Sequence, residues 1–273
     1  MLRQRVITAV VLLVLLGAVL GSGSEIAFRL TLAIFFGAAC WEALKLSGVR
    51  MPLPMALMSA ALLLPMISRA TTEWIPLASV SMVLWLLRFF PALRFGLPTN
   101  TGLRGALFNS LYLIALLGCF ISMAGLWQRS AVFLFSAMAI VWVADIGAYF
   151  AGRAFGKSKL APSISPGKTW EGVVGGLVAV LLLAALAAQL PETFQAQLLV
   201  RYGWFKWVLF LGLFVAASVV GDLFESMLKR RAEVKDSSGL LPGHGGVLDR
   251  IDALVPTMPL AYLLSAQMPL AAS

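Results

Sequence analysis

Apolar stretches of about twenty residues, nearly free of charge and bounded by charges or turn residues, recur nine times along this chain. A stretch of that length crosses a bilayer as a single helix. They run from Val6 to Gly21, Ile26 to Leu46, Leu53 to Ser68, Trp74 to Phe90, Gly105 to Trp127, Ala131 to Phe150, Trp170 to Leu190, Trp207 to Glu225 and Ile251 to Leu270. Nine helices of roughly 20 residues take up about two thirds of the chain, so little remains for a soluble domain. Only 12% of the 273 residues are charged, against roughly 25% in a soluble globular protein. The expected fold is all-α, a polytopic membrane protein of about nine transmembrane helices. Leu53 to Ser68 is the weakest of the nine, being short and carrying Pro54 and Pro65; without it every later segment changes side. The first run follows Arg3 and Arg5 and resembles a signal peptide with small residues from Ala18 to Ser22, but the eight later segments favour a retained span.

The loops test this count. With the N-terminus cytoplasmic, sixteen of the 21 basic residues fall in cytoplasmic segments, four (Arg69, Arg129, Arg201, Lys206) fall outside, and Arg29 lies within the second span. That is the positive-inside distribution, and it accounts for the net charge of +9 without nucleic-acid binding. Cys40 and Cys119 sit in apolar runs far from each other and from the single histidine, so they read as packing residues and not as a zinc or disulfide framework. The chain divides softly into N-terminal helices, 1–127, acting as scaffold and lipid groove, and catalytic helices, 128–273.

Charges at membrane helices are costly and mark function. Asp145 stands near the end of the sixth span, Glu171 at the start of the seventh, Asp222 and Glu225 at the end of the eighth, and Asp249 and Asp252 at the start of the ninth. All of these ends face the same side. Asp222, Glu225 and Ser226 are spaced i, i+3, i+4, and Asp249 and Asp252 i, i+3, so each set projects from one side of a helix. Between them lie Lys229, Arg230, Arg231, Lys235 and a glycine-rich loop around His244. Hard carboxylate oxygens beside backbone N–H groups and cations suit a nucleotide or polyphosphate with Mg²⁺. A second cluster runs from Asp145 through Arg153 and Lys157 to Ser165, Gly167, Lys168, Thr169 and Glu171. Its Gly-Lys-Thr is not a Walker A motif, because Pro162 stands where the first glycine belongs and no strand is expected before it. A polar segment leading into a helix N-terminus remains, a place that favours an anion; Ser165 or Thr169 alternatively caps that helix. His244 is a phosphate-binding residue, a general acid or a loop-packing group, with phosphate binding preferred. Glu42 and Arg29, both in the second span, either line a lipid groove or pair internally. Gly172 with Gly176 indicates a close helix contact.

The run from Ser226 to Asp252, SMLKRRAEVKDSSGLLPGHGGVLDRID, resembles the signature of the phosphatidate cytidylyltransferase (CDP-diglyceride synthase) family. Its Ser, Lys-Arg, Lys-Asp, Pro-x-His-Gly-Gly and Asp-Arg-x-Asp stand at Ser226, Lys229 and Arg230, Lys235 and Asp236, Pro242 to Gly246, and Asp249, Arg250 and Asp252. Val220-Gly221-Asp222, the segment Ser165 to Gly172, and Asp145 to Phe150 are also similar to that family. The resemblance implies a multi-span enzyme of the inner membrane, working as a homodimer, that joins CTP to phosphatidic acid drawn from the bilayer, giving CDP-diacylglycerol and pyrophosphate. It implies Mg²⁺, with a second cation such as K⁺.

The expected roles follow. Asp222, Asp249 and Asp252 hold metal, and Asp222, Asp249, Lys168, Lys229 and Arg230 are catalytic. Ser165, Thr169, Glu171, Ser226, Lys235, Asp236, His244, Gly245, Gly246, Arg250 and Asp145 bind substrate. The phosphatidate oxygen attacks the α-phosphorus directly at the cytoplasmic face, with no covalent intermediate. A CTP-dependent lipid or polyprenol kinase needs similar groups but releases CDP. A CDP-alcohol phosphotransferase is disfavoured because no Asp here is followed by Gly, and a secondary transporter places its charges nearer the bilayer midplane.

Overall fold

Short polar side chains start several of the helices. Ser24, Ser130, Thr169 and Thr193 each accept a hydrogen bond from the backbone N–H three residues on, which satisfies a donor that the first helical turn leaves free. The structure, a computed structural model, describes residues 21–68 and 74–268 and isolated positions from 11 to 19. The predicted span from Val6 to Gly21 lies largely outside the described residues, as do Arg3, Arg5 and Arg69. In chain order the elements are α1 (Glu25–Leu46), α2 (Pro52–Ile67), α3 (Ile75–Phe95), α4 (Gly102–Trp127), α5 (Ala131–Phe155), β1 (Lys159–Ala161), β2 (Ser165–Thr169), α6 (Trp170–Ala187), α7 (Phe194–Arg231), α8 (Leu248–Ile251) and α9 (Leu254–Ser265).

Among the described residues six helices, α1 and α3 to α7, are long and apolar enough to cross a membrane. The protein is an all-α polytopic membrane protein. The shorter apolar helices α2 and α9 have 16 and 12 residues, or roughly 24 and 18 Å at about 1.5 Å per residue. α2 continues through Pro65 and packs along α1. α9 is almost wholly buried among α3, α4 and α7, so its apolar run fills a core and does not face lipid.

Three local departures from the sequence reading have physical causes. First, α3 widens into a π-helical turn over Trp85–Phe89, next to Pro91, which has no N–H to give the preceding turn. Second, the segment before Trp207, expected as an outer loop, is helical from Phe194. The chain breaks at Gly203, whose φ of 73° and ψ of 169° are non-helical, so the earlier piece turns back against α5. Phe194 N–H donates to Ser136 Oγ at 2.8 Å, Gln195 Nε2 to the Ser136 carbonyl at 2.7 Å, and Trp207 Nε1 to the Gln195 carbonyl at 2.9 Å. Third, a strand, β1, does precede Pro162, although Pro162 in place of the first glycine still excludes a Walker A motif. β1 and β2 form an antiparallel hairpin, Lys159 opposite Thr169 and Ala161 opposite Ser165, with Pro162 in the connecting turn.

The core that positions α7 is aromatic. Phe224 is fully buried and meets Trp85 and Phe89 of the π-helical turn at ring-centroid distances of 5.4 and 4.9 Å, and Tyr112 of α4 at 5.2 Å. These contacts fix the rotation of α7 about its axis and so aim its neighbouring charged residues. α5 and α6 approach through small residues, as Gly172 and Gly176 predict: a Cβ on Gly176 would lie 2.7 Å from the Ala144 carbonyl oxygen, and one on Gly172 2.9 Å from that of Ala148.

Gly176→Val should therefore push α6 off α5, destabilising the protein by about 1–3 kcal/mol and lowering the thermal midpoint of detergent-solubilised protein. Gly212→Val, where nothing lies within 4 Å of the added carbon, should leave that midpoint unchanged.

Candidate active site

Three helices, the β-hairpin and the glycine-rich loop meet at one site, with Asp145 and Asp222 well inside α5 and α7, which run on to Phe155 and Arg231 beyond the ends expected from the sequence. α5 brings Asp145, the hairpin brings Ser165 and Lys168, α7 brings Asp222 and Lys229, α8 brings Asp249, and Asp252 follows it. All of these, with Thr169, Asp236 and Arg250, wall one cavity of about 640 Å³. Beside it lies a second cavity of about 520 Å³, formed by the glycine-rich loop with Lys235, Asp236, His244, Gly245 and Arg250. Asp236 and Arg250 border both, so the two volumes adjoin. Together they offer room of the order that small-molecule sites provide.

Two sets of ion pairs stand at the main cavity. Lys168 forms an ion pair with Asp222, and Asp145 has these two and Asp252 as charged neighbours. Lys229 reaches two carboxylates: Glu225, one helical turn earlier and fully buried, and Asp249, at 2.6 Å from Nζ to Oδ1. Asp249 Oδ2 also accepts from the N–H groups of Gly246 (2.7 Å) and Ser237 (2.9 Å) and from Ser237 Oγ (2.8 Å). Burial pushes the Asp249 carboxyl up, but the Lys229 ammonium and the two N–H groups outweigh burial and hold it at about 2. Asp249 is thus a carboxylate throughout the neutral range. Asp252 caps the backbone after it, accepting from Ala253 N–H at 2.8 Å.

Several sequence-predicted site residues take other positions. Thr169 caps α6, its Oγ1 accepting from Gly172 N–H at 3.1 Å, while still bordering the cavity. Glu171 clamps the hairpin base, with both carboxylate oxygens 3.1 Å from Ser158 N–H. Gly246 is buried where a side chain would strike Glu42 and Ser237. Ser226 and Arg230 border neither cavity; Arg230 is exposed, because one residue beyond Lys229 turns a helix by about 100°. His244 contributes its backbone carbonyl to the Arg250 guanidinium at 2.7 Å and borders the second cavity.

Glu42, for which the sequence allows either a lipid groove or an internal partner, has internal partners. Its carboxylate is fully buried and accepts from Ser237 Oγ (3.0 Å), Ser238 Oγ, Val247 N–H (2.9 Å) and Leu248 N–H (2.6 Å). Arg29 pairs within its own helix, with Glu25. Ser237 also joins the site without having been singled out for it, and Glu225, expected among the carboxylates of this face but given no role, joins it as a partner of Lys229. A charge in a span was the available signal for Glu42 and Glu225, whereas nothing in the sequence distinguishes Ser237 from its neighbour.

The acids present only hard oxygen donors. Among the described residues no three His, Cys, Asp or Glu side chains stand together as a ready-made metal cage. The three aspartates expected as metal ligands therefore form no closed site, and a divalent cation held by one or two of these carboxylates would need phosphate oxygens and water to complete its coordination.

Lys229 is the cation shared by two carboxylates, so Lys229→Met should cost about 3 kcal/mol by leaving them unpaired. Adding Glu225→Gln should recover a large part of that loss, read as the thermal midpoint of the double variant. Simple additivity of the two single effects would contradict the pairing.

A model of the cytidylyltransferase family matches residues 3–268 of the chain. A phosphatidate cytidylyltransferase of Pseudomonas aeruginosa is 40% identical over 267 residues, 95% of this chain and 95% of that protein. One from Haemophilus influenzae is 55% identical over 121 residues, covering 44% of this chain and 41% of that protein. One from Bacillus subtilis is 46% identical over 150 residues, covering 54% and 52% respectively.

Proposed function

The chain belongs to the cytidylyltransferase family and is a nucleotidyltransferase, and we propose that it transfers the cytidylyl group of CTP to phosphatidate, giving CDP-diacylglycerol and pyrophosphate. One observation carries the reading beyond the names of its relatives: Asp145, Asp222, Asp249 and Asp252 share a cavity with Lys168, Lys229 and Arg250. A site for an uncharged substrate has no use for such a concentration of both signs, whereas two phosphate-bearing substrates with a divalent cation do.

In the proposed reaction an oxygen of the phosphatidate phosphate attacks the α-phosphorus of CTP. The bond from that phosphorus to the β-phosphate oxygen breaks, and pyrophosphate leaves. Phosphatidate is already an anionic nucleophile, so no general base is required and the barrier is mostly charge repulsion and positioning. Lys168, Lys229, Lys235 and Arg250 offset the phosphate charges, and Asp236 and His244 border the side cavity that takes the remainder of the nucleotide; Arg230, expected to be catalytic, points away from both cavities and takes no part. Of Asp222, Asp249 and Asp252, one or two would hold Mg²⁺, since no three acids stand together among the described residues, with K⁺ as the second cation. When bound, the metal supplies neutralisation of phosphate charge and of the departing pyrophosphate.

The arrangement in the membrane belongs to the same proposal: nine spans, N-terminus cytoplasmic, active site at the cytoplasmic face of the inner membrane, working as a homodimer. The sixteen-to-four division of basic residues supports that orientation. Water-soluble CTP then reaches the helix ends while the acyl chains of the lipid stay in the bilayer. Residues 128–273 supply most of the cavity wall, and residues 1–127 act as scaffold. An apolar groove of about 550 Å³ between α1 and α2, bordered by Leu30, Ile34, Trp41 and Leu57 and closed by Leu240 of the glycine-rich loop, supports a lipid groove in that half.

Membranes containing the protein, given CTP labelled in the α-phosphate, phosphatidate and Mg²⁺, should carry the label into lipid with release of pyrophosphate. Asp222→Asn and Asp249→Asn should lower that rate at least about 100-fold in protein that still inserts. Label remaining in water-soluble nucleotide, with γ-labelled CTP marking the lipid instead, would establish a kinase.

A further inference from the structure

Glu42 lies inside α1, yet every group that holds it comes from a loop some 200 residues later in the chain. A buried carboxylate loses several kcal/mol of hydration and must recover it from a cation or from hydrogen bonds. Among the described residues no Lys, Arg or His forms an ion pair with Glu42. Four donors serve instead: the hydroxyls of Ser237 and Ser238, and the N–H groups of Val247 and Leu248. Four is about the number of lone-pair positions that a carboxylate offers.

The donors are not scattered. Ser237 and Ser238 stand just before the glycine-rich stretch, Val247 and Leu248 just after it, so one carboxylate ties both ends of the loop. Between the ties Gly243 and Gly245 hold φ angles of 77° and 82°, a conformation with little intrinsic rigidity. The loop carries His244 into the side cavity and leads from Asp236 to Asp249. Ser237 adds a direct connection, since its hydroxyl lies 3.0 Å from Glu42 Oε2 and 2.8 Å from Asp249 Oδ2. Having one hydrogen, it can donate to only one of them at a time.

We propose that Glu42 is a positioning residue for nucleotide transfer: it touches neither cavity but sets the glycine-rich loop and, through Ser237, the Asp249 carboxylate. This rests on the cytidylyl-transfer reading, and it assigns the first membrane helix of the described chain a part in catalysis that its apolar composition conceals. Gln in place of Glu42 keeps the volume and one acceptor oxygen but turns an NH₂ group towards donors. The two loop ends then lose their common anchor, and misplacement by about 1 Å costs on the order of 100-fold in rate.

The test compares the wild type with Glu42→Gln, Ser238→Ala and the double variant in the α-labelled CTP assay, with hydrogen exchange of the loop read in parallel. Glu42→Gln should lower kcat/KM for CTP about 100-fold while changing KM for phosphatidate less than about twofold, and the amides of Val247 and Leu248 should exchange faster. Ser238→Ala should cost about tenfold alone and little more in the Glu42→Gln background, since both act on the same contact. Glu25→Gln, at the other end of the same helix, should behave as wild type. Unchanged CTP kinetics in Glu42→Gln, or equal losses for both substrates with loop exchange unaltered, would overturn the proposal. If Glu42→Gln does not insert, Ser237→Ala and Ser238→Ala decide: wild-type kinetics and exchange in both would overturn it. A wild type that labels no lipid would defeat the cytidylyl-transfer reading instead, and loop exchange would still report whether Glu42 orders the loop.

Discussion

The carboxylate of Asp249 accepts hydrogen bonds from three directions: the Lys229 ammonium of α7, and Ser237 and Gly246 at the two ends of the glycine-rich loop. Each donor brings a further constraint. Lys229 is also bound to buried Glu225, Ser237 is also bound to buried Glu42, and Gly246 is packed where a side chain would meet both Glu42 and Ser237. Three parts of the chain remote in sequence are thereby fastened around one short loop. In a low-dielectric surrounding these contacts are stronger than in water, and an unpaired member is correspondingly costly. The geometry is over-determined, which is what a site with a glycine-rich wall requires.

The packing beneath explains how the charges come to be aimed. Rings from α3, α4 and α7 interlock around Phe224, so α7 cannot rotate without breaking them. Its next residue, Glu225, then faces Lys229 and its earlier Asp222 faces Lys168. On the other side, the glycine contact between α5 and α6 draws Asp145 and the hairpin together. Apolar packing thus sets the distances, and charge pairing completes them.

Much of this was legible in the sequence, for definite reasons. Helix positions followed from charge-poor apolar runs, and Thr169 was legible as a cap because capping chemistry is local. Gly172 and Gly176 announced a close contact because their spacing matches one helix face. Asp145, Lys168, Asp222, Asp249 and Arg250 were legible as one group because charge at apolar helix ends is costly. The rest depended on tertiary partners. Nothing near Glu42 indicates that Ser237 and Leu248 would surround it. Glu171 looks like a substrate ligand until the Ser158 N–H is seen to occupy it, and the hairpin exists because Ser165–Thr169 folds back across the Pro162 turn. The helix from Phe194 was hidden because its polar residues Gln195 and Gln197 look like loop, although Gln195 is fully buried against Ser136.

The central claim is that nucleotide is processed in the cavity between the Lys168–Asp222 pair and the Lys229–Asp249 pair. Cryo-electron microscopy of the purified protein with a non-hydrolysable CTP analogue and Mg²⁺ tests it most directly. The account predicts triphosphate density in that cavity, with the metal beside the aspartates and the rest of the nucleotide against Asp236 and His244. Density elsewhere on the molecule, with these two ion pairs left as they stand, would contradict it.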